Sequence, residues 1–165
     1  VALIFADAGE AGVGNYLYEE VTTSGSHGAG FEGSFGIATS GVGALWVRKT
    51  FSTTYTEIFV SIWAKITSNG DSRILTWWTS ATELGSVRWA SADKHLKIYT
   101  GASTLQATGA ATIQDATLGG NWFNVNIRIL LHASTGVIDV RYDGATTSDC
   151  IFTGNTLPSG SSLNQ

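Results

Sequence analysis

From Glu57 to Ile66 every second residue is aliphatic, namely Ile58, Val60, Ile62, Ala64 and Ile66, while Phe59, Ser61, Trp63 and Lys65 fall between them. A period of two is the repeat of a strand, whose side chains alternate between faces; a helix of 3.6 residues per turn would scatter this set around its circumference. The pattern returns at 122–131, where Phe123, Val125, Ile127, Ile129 and Leu131 oppose Trp122, Asn124, Asn126 and Arg128. It returns again at 137–142, with Ile138, Val140 and Tyr142 opposed to Asp139 and Arg141. No segment carries the i, i+3, i+4, i+7 spacing with caps that an amphipathic helix needs.

The rest of the chain agrees. Gly is abundant (20) and Pro nearly absent (1), and the β-branched and aromatic residues come in short runs between Gly, Ser, Asn and Asp clusters. Such residues suit a pleated, half-buried surface. Further strands are predicted at 2–5, 16–21, 33–37, 44–51, 86–90, 95–99, 111–115 and 150–153. Many short strands without a fixed repeat predict an all-β fold, a two-sheet antiparallel β-sandwich, and disfavour a propeller or solenoid. A chain of 165 residues can bury a core without disulfides or metals. One sandwich domain is expected over 1–156, with a linker-like tail at 157–165. The start at Val1, the lack of any Met and the Pro-Ser-Gly-Ser-Ser run near the end predict a segment of something longer.

Charge helps to set register. Pairing the two apolar faces with a four-residue loop at 132–135 places Arg128 opposite Asp139, whereas a slip can set Arg128 against Arg141. Opposite charges across a ladder contribute about 0.2–1 kcal/mol and like charges cost, so the first register is expected.

The adjacent tryptophans of Arg73-Ile74-Leu75-Thr76-Trp77-Trp78 must point to opposite faces. The Asn69-Gly70 pair predicts a hairpin turn joining this strand to 57–66. Alternation alone does not assign the two indoles. Because Arg73 shares the Trp77 face, the expectation is Trp78 inside and Trp77 outside.

Several partners are disfavoured. Net charge is −4, and only 13% of residues are charged, with Lys and Arg scattered, so no basic stripe suits nucleic acid. The longest apolar runs, such as 127–131, fall far short of the roughly 20 residues that cross a bilayer, so no membrane insertion is expected. No signal peptide is visible at 1–6. The single cysteine, Cys150, excludes an internal disulfide and reads as a small buried hydrophobe.

Three runs carry a family resemblance: Phe59-Val60-Ser61-Ile62-Trp63-Ala64-Lys65, Asn121-Trp122-Phe123-Asn124-Val125-Asn126-Ile127, and Ser134-Thr135-Gly136 through Asp143-Gly144. They resemble the "FxVSxW" and "W-x-x-V-x-I" strands and the "G-x-I-x-V-x-x-D-G" hairpin of concanavalin A-like, laminin G-like jelly rolls. The similarity covers roughly 44–156. It implies two curved sheets with loops at the rim, in a group that includes lectins, adhesion modules, glycanases, lyases and domains of phage fibre and capsid-surface proteins. A shared fold does not choose among these.

The catalytic options lack their residues. Retaining glycanases need two carboxylates about 5–5.5 Å apart, and no E-x-D-x-x-E strand exists; Glu19 and Glu20 are adjacent, Glu57 stands alone and Glu83 reads as a loop residue. The lyase marks are missing too, and His95, Lys97 and Tyr99 read as a solvated strand face. Gly9, Gly12 and Gly14 have the wrong order for a dinucleotide loop, and Ser26-His27 lacks a nucleophile elbow. Relatives of this type hold Ca²⁺ at the loop rim, so calcium is the one cofactor left open. Asp7, Asp71, Asp93 and Asp143 lie in predicted loops, but none forms a D-x-D-x-D run.

Aromatics carry what signal remains. An exposed indole beside polar groups stacks on a sugar ring or on a protein partner. The expectation is a non-catalytic recognition or attachment domain of a larger extracellular or virion-surface protein, binding glycan through Trp77, Trp63, Lys65, Arg73 and Tyr99. Two alternatives stand beside it: a structural module of a phage virion or surface fibre, packed on neighbouring virion proteins or on copies of itself, and, weaker, a lyase or glycanase.

Overall fold

In the computed structural model, residues 55–66, 70–79, 82–114 and 121–157 are described in full, and 20–21, 25–28, 36–39 and 47–48 as backbone. The described residues contain strands and no helix. In the amino-terminal part, β1 (Glu20–Val21) pairs with β4 (Val47–Arg48) and β2 (Gly25–Gly28) with β3 (Gly36–Thr39), both antiparallel. The chain divides into two units, Val1–Ser52 with Gln165, and Thr53–Asn164. The strand expected at 2–5 and the calcium candidate Asp7 lie outside the described residues.

The second unit is a two-sheet antiparallel β-sandwich. One sheet has the order β12-β11-β10-β5, from Cys150–Gly154, Gly136–Tyr142, Phe123–Leu130 and Glu57–Ala64; the other runs β6-β7-β8-β9, from Ser72–Trp78, Glu83–Trp89, Leu96–Thr100 and Thr104–Thr108. Ile58, Phe123, Val125, Ile127, Ile129, Ile138, Val140 and Cys150 of the first sheet are buried, as are Trp77, Val87, Trp89, Leu96 and Ile98 of the second. Asp149 stitches the sheets together at one edge. It precedes β12, and its Oδ1 accepts from the N–H groups of Ala110 and Ala111, just after β9, at 3.0 and 2.7 Å.

The first sheet follows the period-two reading. Arg128 stands opposite Asp139, as expected. The charges nevertheless settle on other neighbours: Arg128 Nε binds Glu57 Oε1 at 2.8 Å, and Asp139 Oδ2 takes Arg141 Nη2 at 3.2 Å.

The expected hairpin between 57–66 and the tryptophan strand does not form. β5 pairs with β10 instead, and β6 with β7, so the two strands belong to different sheets. The reason is complementarity. β10 offers Ile129, Ile127, Val125 and Phe123 directly across from Ile58, Val60, Ile62 and Ala64, so two apolar faces match in one ladder, that of β10 buried and that of β5 at least half-buried.

The assignment of the two indoles is also reversed. Trp77 is 1% exposed, whereas Trp78 is only partly buried. Between the pairs Arg73↔Arg88 and Leu75↔Val87 the register shifts, leaving Ile74 as the extra residue of a β-bulge. The bulge breaks alternation. Arg73 lies on the Arg88 face, pointing outward, while Leu75 and Trp77 join Val87 and Gly85 on the inward face. Gly85 makes room for the indole: a Cβ there would lie 2.5 Å from Trp77 Cζ2 and 2.6 Å from the Tyr99 carbonyl oxygen.

Two smaller corrections follow from polar content. Residues 111–114 form no strand; Ile113 is buried there, its N–H donating to the Lys94 carbonyl at 2.7 Å and its carbonyl accepting from Trp89 Nε1 at 2.8 Å. Strand β9, with the sequence Thr-Leu-Gln-Ala-Thr, has no apolar face to betray it and is held by pairing to β8.

Candidate functional site

The outward face of the β12-β11-β10-β5 sheet ends in a cleft where β10 begins and β11 finishes. The turn after β11 uses two left-handed residues in succession, Asp143 (φ 48°) and Gly144 (φ 73°), a conformation suited to Asp-Gly. Asp143 N–H donates to the Asn124 carbonyl at 2.9 Å, and Asn124 N–H donates to Asp143 Oδ1 at 2.8 Å. This pair of hydrogen bonds latches the turn onto the start of β10.

Asn124 is itself fixed. It is 9% exposed; its Nδ2 donates to Ser61 Oγ at 3.1 Å and to the Ile62 carbonyl at 3.3 Å, and its Oδ1 accepts from Asn126 Nδ2. Directly across the ladder from Asn124 stands Trp63, whose surface is 46% exposed. Trp63, Trp122, Asn124, Asp143 and Gly144 together line an open cleft of about 400 Å³. Beneath it, Tyr142 packs on Phe123 with ring centroids 5.9 Å apart, and burial, followed by the Asp143 charge, pushes its phenol above the usual range. That tyrosine stays neutral. Aromatic faces beside a carboxylate and an amide held by backbone bonds can stack on an apolar ring face and take hydrogen bonds from its hydroxyls.

The residues singled out from sequence do not all meet here. Trp63 lines the cleft. Lys65 is exposed beyond the end of β5 but is not part of the lining, and Trp77 packs in the core. Arg73 and Tyr99 lie on the outward face of the other sheet. There Arg73 Nη1 and Arg88 Nη2 clasp the two oxygens of Glu83 at 2.8 and 3.2 Å, Arg88 Nε donates to Ser86 Oγ at 2.8 Å, and the Arg88 guanidinium lies 4.3 Å from the Tyr99 ring centre. Arg88 also donates to the Ala102 carbonyl. Glu83 is thus a strand residue with a buried carboxylate, contrary to the loop expected for it.

Trp122, Asn124 and Gly144 were not grouped with Trp63 from sequence. The Asp143-Gly144 turn and the predicted register of 122–131 with 137–142 bring Trp122 and Asn124 close to Gly144, but Trp63 joins them only through the pairing of β5 with β10, for which no local signal exists.

The calcium candidates do not converge. Among the described residues no three His, Cys, Asp or Glu side chains gather as a metal cage. Asp71 Oδ1 accepts from Ser91 N–H at 2.8 Å and Ser91 Oγ at 2.7 Å, which hold its carboxyl below the usual range. Asp93 pairs with Lys97 at 2.6 Å, and Asp143 is committed to Asn124. Burial pushes the Cys150 thiol up to about 12, leaving it protonated at neutral pH. Comparison with protein-family models, curated proteins and solved structures finds no match to this chain.

Proposed function

We propose that this sandwich is a non-catalytic recognition domain that binds glycan in the cleft of Trp63, Trp122, Asn124 and Asp143. The observation that carries the reading is Trp63, a large aromatic left 46% exposed in a cleft whose polar members are held by the backbone. Ordering such a site costs little on binding, because Asn124 and Asp143 are already fixed before a ligand arrives. The resemblance to concanavalin A-like jelly rolls supports the same reading, and the place that goes with it is an extracellular or virion-surface protein, where glycans are met. A glycan array followed by titration tests it. Trp63→Ala should remove binding while leaving the far-ultraviolet dichroism unchanged; retained binding in that variant sinks the proposal.

A second reading, a structural module of a virion or surface fibre, is favoured by a separate observation. Phe59 and Ile151, 53% and 52% exposed, share the outward face of the same sheet and could pack on neighbouring subunits. A strict monomer at high concentration, by sedimentation, argues against it.

A further inference from the structure

The cleft is one end of a longer aromatic track. Phe59 and Trp63 sit on the same face of β5, four residues apart, and both expose about half of their surface. At 3.2–3.4 Å per residue they stand roughly 13 Å apart. No single pyranose ring spans that distance. The register places Ser61 and Asn126 between them, so the floor of the track is polar and low, with an aromatic at each end. Phe59 is also backed: the Arg128 guanidinium lies 5.9 Å from its ring centre while binding Glu57.

The charges along the track cancel. Arg128 is paired with Glu57 at 2.8 Å and Arg141 with Asp139 at 3.2 Å, while the Asp143 carboxylate at the cleft and the exposed Lys65, two residues beyond Trp63 at the end of β5, carry opposite single charges. Among the described residues the face therefore carries no net charge, and a polyanionic chain would meet the Asp143 carboxylate in the cleft with no net positive field to draw it in.

Resting on the glycan reading above, we infer that the ligand is a linear, uncharged oligosaccharide segment lying along β5, with one sugar stacked at Trp63 and another, further along, at Phe59. Length and neutrality are the two properties the surface selects.

The test is calorimetric titration of the full chain with neutral gluco-, xylo- and manno-oligosaccharides of two and six residues, and with hexagalacturonate as the charged control. The series that binds should show the hexamer about fivefold tighter than the dimer, the gain expected from covering a half-exposed phenylalanine. Phe59→Ala should erase that gain and leave dimer affinity unchanged. Hexagalacturonate should bind more weakly than the neutral hexamer and recover part of the difference in Asp143→Asn. Equal hexamer affinity in wild type and Phe59→Ala, an equal loss for both lengths, or preference for hexagalacturonate would overturn the inference and leave the Trp63 cleft standing. No binding by any of the oligosaccharides, or wild-type binding by Trp63→Ala, would instead overturn the glycan reading itself.

Discussion

The two outward faces of the sandwich carry similar residues and put them to opposite uses. On the β6-β7-β8-β9 side, two arginines, a glutamate, a serine and a tyrosine close on one another: the side chain of Glu83 is 7% exposed and that of Arg88 19%. On the β12-β11-β10-β5 side the ion pairs are open, with Glu57 and Arg128 at 37% and 41%, and the aromatics Phe59 and Trp63 stand out from them. The first face has satisfied its polar groups internally and offers a ligand little. The second keeps its charges neutral in pairs and leaves ring surface uncovered. An arginine beside an aromatic is therefore no mark of a site; what separates the faces is how much ring surface the paired polar groups leave uncovered.

The sharpest way to break this comparison is to truncate one tryptophan on each side of the distinction. Trp77→Ala removes a side chain that is 1% exposed and should cost about 3–5 kcal/mol, read as a lowered denaturant midpoint. Trp63→Ala removes one that is 46% exposed and should cost less than about 1 kcal/mol while abolishing ligand binding. If the two variants were equally destabilised, Trp63 would be structural and the open face would lose its claim. Gly85→Ala should approach the Trp77 effect, about 2–3 kcal/mol, because the added methyl meets both the Trp77 ring and the backbone oxygen of Tyr99.

Next in size is the contrast between two ion pairs of the same 2.8 Å length, Arg73–Glu83 and Arg128–Glu57. Glu83→Ala leaves the mostly buried Arg88 without its carboxylate and should cost about 2–3 kcal/mol, somewhat below the figure for a fully buried pair because Arg73 is half exposed. Glu57→Ala should cost at most about 0.5 kcal/mol, since both partners are open to water. Thermal unfolding of the two variants side by side measures the difference. Equal shifts would show that the closed network is closed in appearance only.

What the sequence could disclose divides along the same line. Strands β5, β10 and β11 were legible to within a residue or two, and so was their register at Arg128↔Asp139, because each buries one aliphatic face and a strict period of two then fixes everything else. Trp63 was legible as an outward residue for the same reason. The tryptophan pair was not, because the bulge at Ile74 inserts one residue and moves Trp77 to the opposite face from the one alternation assigns. Nor was the partner of β5: an Asn-Gly pair favours a turn of either kind, hairpin or crossing, and the matching aliphatic comb lay some sixty residues away. The cleft was half legible. Its aromatics could be named, but the coupling of Asn124 to Asp143 is a tertiary hydrogen bond that no local pattern encodes.

The smallest expected effect concerns pH and belongs to the β6-to-β8 region. Asp71 has its carboxyl lowered by the two Ser91 hydrogen bonds, so its folded value lies below its unfolded one. Its contribution is present above the unfolded value near 3.8 and is lost as pH falls through the lower, folded value. Lys97, raised chiefly by its bond to Asp93, behaves in the opposite sense: its contribution is full below 10.5 and is lost as pH rises through the higher, folded value. Because Asp71 is exposed, its share should be roughly 0.5 kcal/mol after solvent screening. The measurement is the melting temperature of wild type against Asp71→Asn and Lys97→Met from pH 2.5 to 11. The Asp71→Asn gap should close only on the acid side, whereas the Lys97→Met gap should close at both ends: on the alkaline side as Lys97 loses its proton, and on the acid side as Asp93, held below the usual range by the Lys97 hydrogen bond, gains one. Gaps that stay constant across the whole range would mean that these groups act through packing, and the charge economy assigned to this region would have to rest on the Glu83 clasp alone.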